Sequence, residues 1–84
     1  MEVVRELEEV EVGSAVNQRR RVVILLRSDG RYAFAEQYHY SSEHGGKVEA
    51  EGWATLGPEG IYESAEIAQA EGVAAFRTRH GLGT

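Results

Sequence analysis

Asp29-Gly30 constrains this chain more than any other pair of residues. It separates an apolar, β-branched run, residues 21–27 (RVVILLR), from residues 31–40 (RYAFAEQYHY), where large and small side chains alternate. The first run has the composition of a strand and the second has its period of two. Asp-Gly between two such segments is a strong hairpin signal, because a two-residue turn that matches strand twist needs positive φ at both central residues. Such a loop predicts that Ser28 faces Arg31, and the rest of the register follows. Arg27 is then opposite Tyr32, Leu25 opposite Phe34, Arg21 opposite Tyr38 and Arg19 opposite Tyr40.

The flanks are read from the same signals. Residues 41–46 (SSEHGG) suit a turn-rich loop, and residues 47–56 suit a third strand that returns antiparallel to the second. Residues 57–60 (GPEG) end it. Ser64 then supplies an N-cap oxygen and Glu66 favours the positive end of a helix that runs to about Arg79. Arg77, Arg79 and His80 suit its C-terminal end, and Gly81 the left-handed residue that stops it. Gly72 costs the helix interior about 1 kcal/mol relative to Ala, which suits a close approach to something else. Residues 2–12 (EVVRELEEVEV) place Val3, Val4, Leu7 and Val10 on a helical stripe, while Val10 and Val12 alternate with glutamates as at a strand end. The expectation is one 84-residue α+β domain: an acidic N-terminal arm or short helix over residues 1–18, then a βββα core over residues 19–80. In that core a three-stranded antiparallel β-meander carries one C-terminal α-helix packed on one face.

The predicted register makes two unlike faces. One carries Val22, Ile24, Leu26, Ala33, Ala35 and Gln37, extended by small residues of the third strand, and is expected to receive the helix through Ile67, Ala70, Val73 and Ala74. The other collects Arg19, Arg21, Arg27, Tyr32, Phe34, Tyr38, Tyr40 and Trp53, interspersed with Val23, Leu25, Glu36, Glu49 and Glu51. This cationic and aromatic set is the candidate interaction face. Three readings of it stay open. Arg and Tyr across strands stabilise ordinary sheets. The face is also suited to being covered, by residues 3–10 or by a second subunit with Phe34 and Trp53 as its anchors. Aromatics interleaved with Arg are, thirdly, what a base-stacking platform needs.

Charge bears on that choice. The net charge is −5, distributed as −4 over residues 2–11, +4 over residues 19–31, −7 over residues 36–71 and +2 from Arg77 and Arg79. A chain of this balance is not attracted to a polyanion at long range, and the three glutamates of the candidate face oppose phosphate. Catalysis finds little support. There is no cysteine, hence no thiolate and no sulfur-based zinc site. His39, His44 and His80 have no further ligands at metal spacing, and neither Gly45-Gly46 nor residues 57–60 has the spacing of a phosphate loop. No cofactor and no enzymatic activity are expected. No apolar run reaches the ~18 residues of a membrane helix, and the lack of cysteine fits a reducing compartment, so a cytoplasmic location is expected.

Residues 60–68 (GIYESAEIA) lead out of the predicted sheet and into the helix. With residues 22–77 around them they resemble the three-stranded sheet plus helix of the plant AP2-type and integrase-type DNA-binding domains. In that family the sheet enters the major groove with Arg and Trp, so the resemblance implies such positions for Arg19, Arg21, Arg27 and Trp53. The third strand here carries Glu49 and Glu51 where a DNA reader wants cations. Residues 62–76, with Ser64, Ala68, Gly72 and Val73, also resemble small bacterial domains of the YegP type, whose function is unknown; the helix spacing differs by one residue. The reading is therefore a small bacterial-type, non-enzymatic module acting on a protein partner or forming a homodimer. A nucleic-acid-binding module using the same face is the alternative.

Overall fold

The computed structural model describes residues 1–13 and 17–82, and the stretch 14–16 of the expected N-terminal arm lies outside the described residues. The chain forms β1 (Glu2–Glu6), β2 (Val10–Glu11), β3 (Arg19–Leu26), β4 (Tyr32–His44), β5 (Lys47–Thr55), β6 (Glu59–Tyr62) and α1 (Ala65–His80). This is an α+β fold with one antiparallel sheet and one C-terminal helix. β3 and β4 are its centre. β1 and β2 lie successively along the outer side of β3, while β5 and β6 share the outer side of β4. Among the described residues the sheet has six strands and not the expected three: residues 2–6 and 10–11 are neither helix nor loose arm but strands paired with β3, and Glu59–Tyr62, expected to lie beyond the last strand, pairs with β4. Clustered glutamates weaken an isolated helix. In the strand, Arg21 of β3 draws Glu6 into an ion pair at 2.8 Å.

The β3–β4 register differs from expectation by one residue. Ile24, not Leu25, faces Phe34; Leu25 faces Ala33, Val22 faces Glu36 and Arg20 faces Tyr38. The cause lies in the turn. Only Gly30 has positive φ, at 82°, and Asp29 does not. The Arg27 N–H donates to the Arg31 carbonyl at 2.7 Å and the Gly30 N–H to the Arg27 carbonyl at 3.1 Å. These bonds close a three-residue loop whose last residue is a left-handed glycine, one of the alternatives open to an Asp-Gly sequence. Asp29 secures it by accepting from the Arg31 N–H at 3.0 Å. The two-residue turn occurs instead at the other end of β4: Gly45 and Gly46 have φ of 61° and 81°, and His44 faces Lys47. β4 therefore runs on through Ser41–His44, and all residues 40–51 are exposed in a projecting two-stranded ribbon.

The one-residue change exchanges the two faces of β4 and leaves those of β3 as expected. Val22, Ile24 and Phe34 now share the helix side and pack with Ala68, Phe76 and Val12 in the main core. The expected docking of the helix on a small-residue sheet face is thereby overturned. The helix supplies the small residues itself, Ala65, Ala68, Gly72 and Ala75, against a sheet face of large ones. A Cβ on Gly72 would lie 2.9 Å from Cβ and Cγ of Phe34 and 3.1 Å from Cγ1 of Val22, so the missing side chain sets how closely the helix approaches. Ile67, Ala70, Val73 and Ala74, expected to face the core, are all exposed, Ile67 at 46%. The ends of α1 agree with expectation: the Ile67 N–H donates to Ser64 Oγ at 3.2 Å, and Gly81 is left-handed with φ 64°.

Candidate functional site: the helix-free face of the sheet

β3 is apolar on both sides. Val22 and Ile24 face the helix, while Val23 and Leu25 form a second buried cluster with Ala35 on the other side. No described element packs over that second side. Val3 stands on it opposite Leu25 and remains 43% exposed. Ile61 is 55% exposed. It alternates with Tyr62, which joins the helix-side core, and so points away from the helix. Val23, Ala33 and Ala35 are nevertheless fully shielded, since a small residue between larger neighbours on a twisted sheet is hidden by their side chains.

Above this apolar floor runs a polar line that crosses four strands. Glu6 on β1 accepts from Arg21 on β3 at 2.8 Å; Arg21 Nε donates to Gln37 Oε1 on β4 at 2.7 Å; Gln37 Nε2 donates to Thr55 Oγ1 on β5 at 2.9 Å. Beside it Trp53 gathers cations. The guanidinium carbons of Arg21 and Arg19 lie 4.2 and 5.4 Å from its ring centroid, and His39 meets the ring edge-on at 5.2 Å. Arg19 in turn pairs with Glu9. Gln37 is buried yet fully partnered, and no buried side-chain nitrogen or oxygen among the described residues lacks a hydrogen bond.

The expected interaction set is divided by this arrangement. Arg19, Arg21 and Trp53 do come together on the helix-free face. Tyr32, Phe34 and Tyr38 are on the helix side: Phe34 is buried and stacks on Tyr62 with centroids 6.2 Å apart, and Arg20 rather than Arg21 lies over Tyr38. Tyr40 is on that side too, but out on the ribbon, where its hydroxyl lies 3.3 Å from where a Cβ of Gly52 would be. Arg27 is held at the turn by Asp29, whose carboxyl is kept below its usual range chiefly by the hydrogen bond from Arg27.

Sequence reasoning missed the charged cluster under the helix C-terminus. Glu36, 2% exposed, accepts from Arg20, from Arg79 Nη1 at 3.0 Å, and meets His80 Nε2 at 3.0 Å. Arg79 bridges on to Glu59 at 2.9 Å. Burial pushes the Glu36 carboxyl up, but the hydrogen bonds from Arg20, His80 and Arg79 outweigh it and hold the carboxyl below its ordinary value. Every member has a partner within the chain, so the cluster locks the helix end to β3, β4 and β6. The signal for it was present as three basic residues in the last helical turn, but with Glu36 assigned to the wrong face they had nothing to meet.

Comparison with protein-family models, with curated proteins and with solved structures finds no match to this chain. No helix is long and apolar enough to cross a membrane among the described residues.

Proposed function

We propose that this chain is a non-enzymatic, cytoplasmic protein-interaction module that acts through the helix-free face of its sheet, with a second copy of the chain as its partner. The observation that carries this reading is β3 itself: five successive apolar residues, Val22–Leu26, ask for a layer on each side, and the described residues hold one helix. A second copy meeting it face to face supplies the missing layer, with Val3, Ile61 and Trp53 as apolar contacts around the floor of Val23, Leu25 and Ala35. The alternative of a nucleic-acid platform is less well supported, because Arg19 and Arg21 already hold Glu9 and Glu6 and so offer phosphates little free charge.

Two exposed isoleucines on opposite sides make the test. Ile61 is 55% exposed on the helix-free side and Ile67 is 46% exposed on the helix. In sedimentation equilibrium, Ile61→Glu is expected to shift the chain from dimer to monomer while Ile67→Glu leaves association unchanged. A wild-type chain that stays monomeric at millimolar concentration overturns the self-association. Oligonucleotide binding that weakens steeply with salt favours the alternative.

A further inference from the structure

A groove of about 330 Å³ opens on the helix side of the sheet, between α1 and the edge formed by β1 and β2. It is independent of the face assigned above. Leu7 and Val10 line it from the sheet edge, Val73 and Phe76 from the helix, with Val22 between them and Leu82 at one end. It lies beside the link between β1 and β2, where the Leu7 N–H still donates to the Val22 carbonyl at 3.0 Å. Ligand pockets run from about 300 to 1,000 Å³, so this volume suits a molecule the size of an amino acid and not a nucleotide.

Its charged lining narrows the chemistry. Arg21 borders the groove but its guanidinium is engaged by Glu6, Gln37 and Trp53 on the opposite face. Glu8 in the link between β1 and β2 and Arg77 on the helix remain, both exposed. Neither makes an ion pair among the described residues. An apolar trough thus has, among the described residues, one anion without an ion pair on one wall and one such cation on the other. We infer that the groove binds a free α-amino acid with an aromatic or branched apolar side chain. The side chain lies in the trough against Val73 and Phe76, the ammonium faces Glu8 and the carboxylate faces Arg77. Charges at a rim are worth little singly, so apolar contact supplies most of the affinity and the charges choose the ligand class.

The test is an NMR titration of the full chain with L-phenylalanine, 3-phenylpropionate and 2-phenylethylamine. L-phenylalanine is expected to shift the amides of Leu7, Val10, Val73 and Phe76 saturably. Each singly charged analogue is expected to bind about two- to fivefold more weakly, the range for one exposed ion pair. Arg77→Ala should erase the difference between L-phenylalanine and 2-phenylethylamine, and Glu8→Ala the difference between L-phenylalanine and 3-phenylpropionate. Both residues are exposed, so these variants fold. Val73→Trp fills the trough and should abolish the shifts. The inference is overturned if no shifts appear, if they map to Trp53 and the helix-free face, or if all three probes bind equally. None of those outcomes decides the self-association tested by sedimentation, which is read from mass and not from ligand shifts.

Discussion

Glu36 shows how much one residue's placement carries. Its carboxylate is removed from water and compensated by Arg20, Arg79 and His80. Removing one partner of a buried ion pair costs about 3–5 kcal/mol. Arg79 is partly exposed and keeps Glu59, so Glu36→Gln is expected to cost less, about 2–3 kcal/mol by urea denaturation at neutral pH. The sign with pH follows from the lowered carboxyl. A carboxyl whose folded value lies below its unfolded one stabilises the fold fully above the unfolded value and loses that contribution as pH falls through the folded one. The part of the difference between wild type and Glu36→Gln that comes from this carboxyl should therefore shrink as pH falls below about 4. Gly72 is the second residue that decides packing. Ala at this site gains about 1 kcal/mol of helix propensity. The added Cβ meets Phe34 at 2.9 Å from atoms close to its backbone, so the helix must move. A net loss of about 1–3 kcal/mol in thermal or urea unfolding is expected for Gly72→Ala, whereas a gain in stability would mean that the helix has room to shift.

Elements follow local rules even where their faces do not. The helix starts at a serine cap and ends at a left-handed glycine because those residues satisfy terminal N–H and carbonyl groups whatever the helix packs against. Ser64→Ala is expected to cost about 1 kcal/mol. Ile67→Asp, by contrast, should change the melting temperature little, since Ile67 lies off the docking stripe of Ala68, Gly72 and Phe76. A collapse of the fold on Ile67→Asp, read by circular dichroism, would place the helix on a different face. The β3–β4 turn is the reverse case. Asp29-Gly30 supports both a two-residue loop and a three-residue loop ending in a left-handed glycine, and the choice moves every residue of one strand relative to the other. What tips it is pairing by size: the three-residue loop puts Ile24 and Phe34 together under the small stripe of the helix.

At the scale of the molecule the sheet is unevenly supported. β3 and β4 are paired on both sides and roofed by the helix, whereas the ribbon of residues 40–51 has only its own two strands. A lone two-stranded ribbon is marginal in water. Amide exchange is therefore expected to be fast in residues 41–51 and slowest in Val22–Leu25, and uniform protection along β4 would show that the ribbon is held by something else, such as a second copy. The molecule measures 47 × 32 × 17 Å, a flat body one sheet and one helix thick, so a partner on the second side of β3 would meet the side chains that shield Val23, Leu25 and Ala35.

Residues alone fixed what depends on near neighbours: the α+β class, a hairpin at Asp29-Gly30, a strand expected over residues 47–56 and found over Lys47–Thr55, the capped C-terminal helix, and the nearness of Arg19 and Arg21 on one strand. Two signals in the sequence were read short. The second glycine pair, Gly45-Gly46, is a better two-residue turn than Asp29-Gly30, and the small stripe of the helix called for large residues opposite it. Tertiary structure alone decided the rest. It chose the register, hence which side Phe34 and Glu36 occupy; it drew the acidic residues 2–6 into a strand; and it joined Glu36 to Arg79 and His80 across more than 40 residues of chain. The physical reason is common to all three. Turn type, strand edge and buried charge each have two local solutions close in energy, and only the packing of large side chains against a small-faced helix separates them by enough to matter.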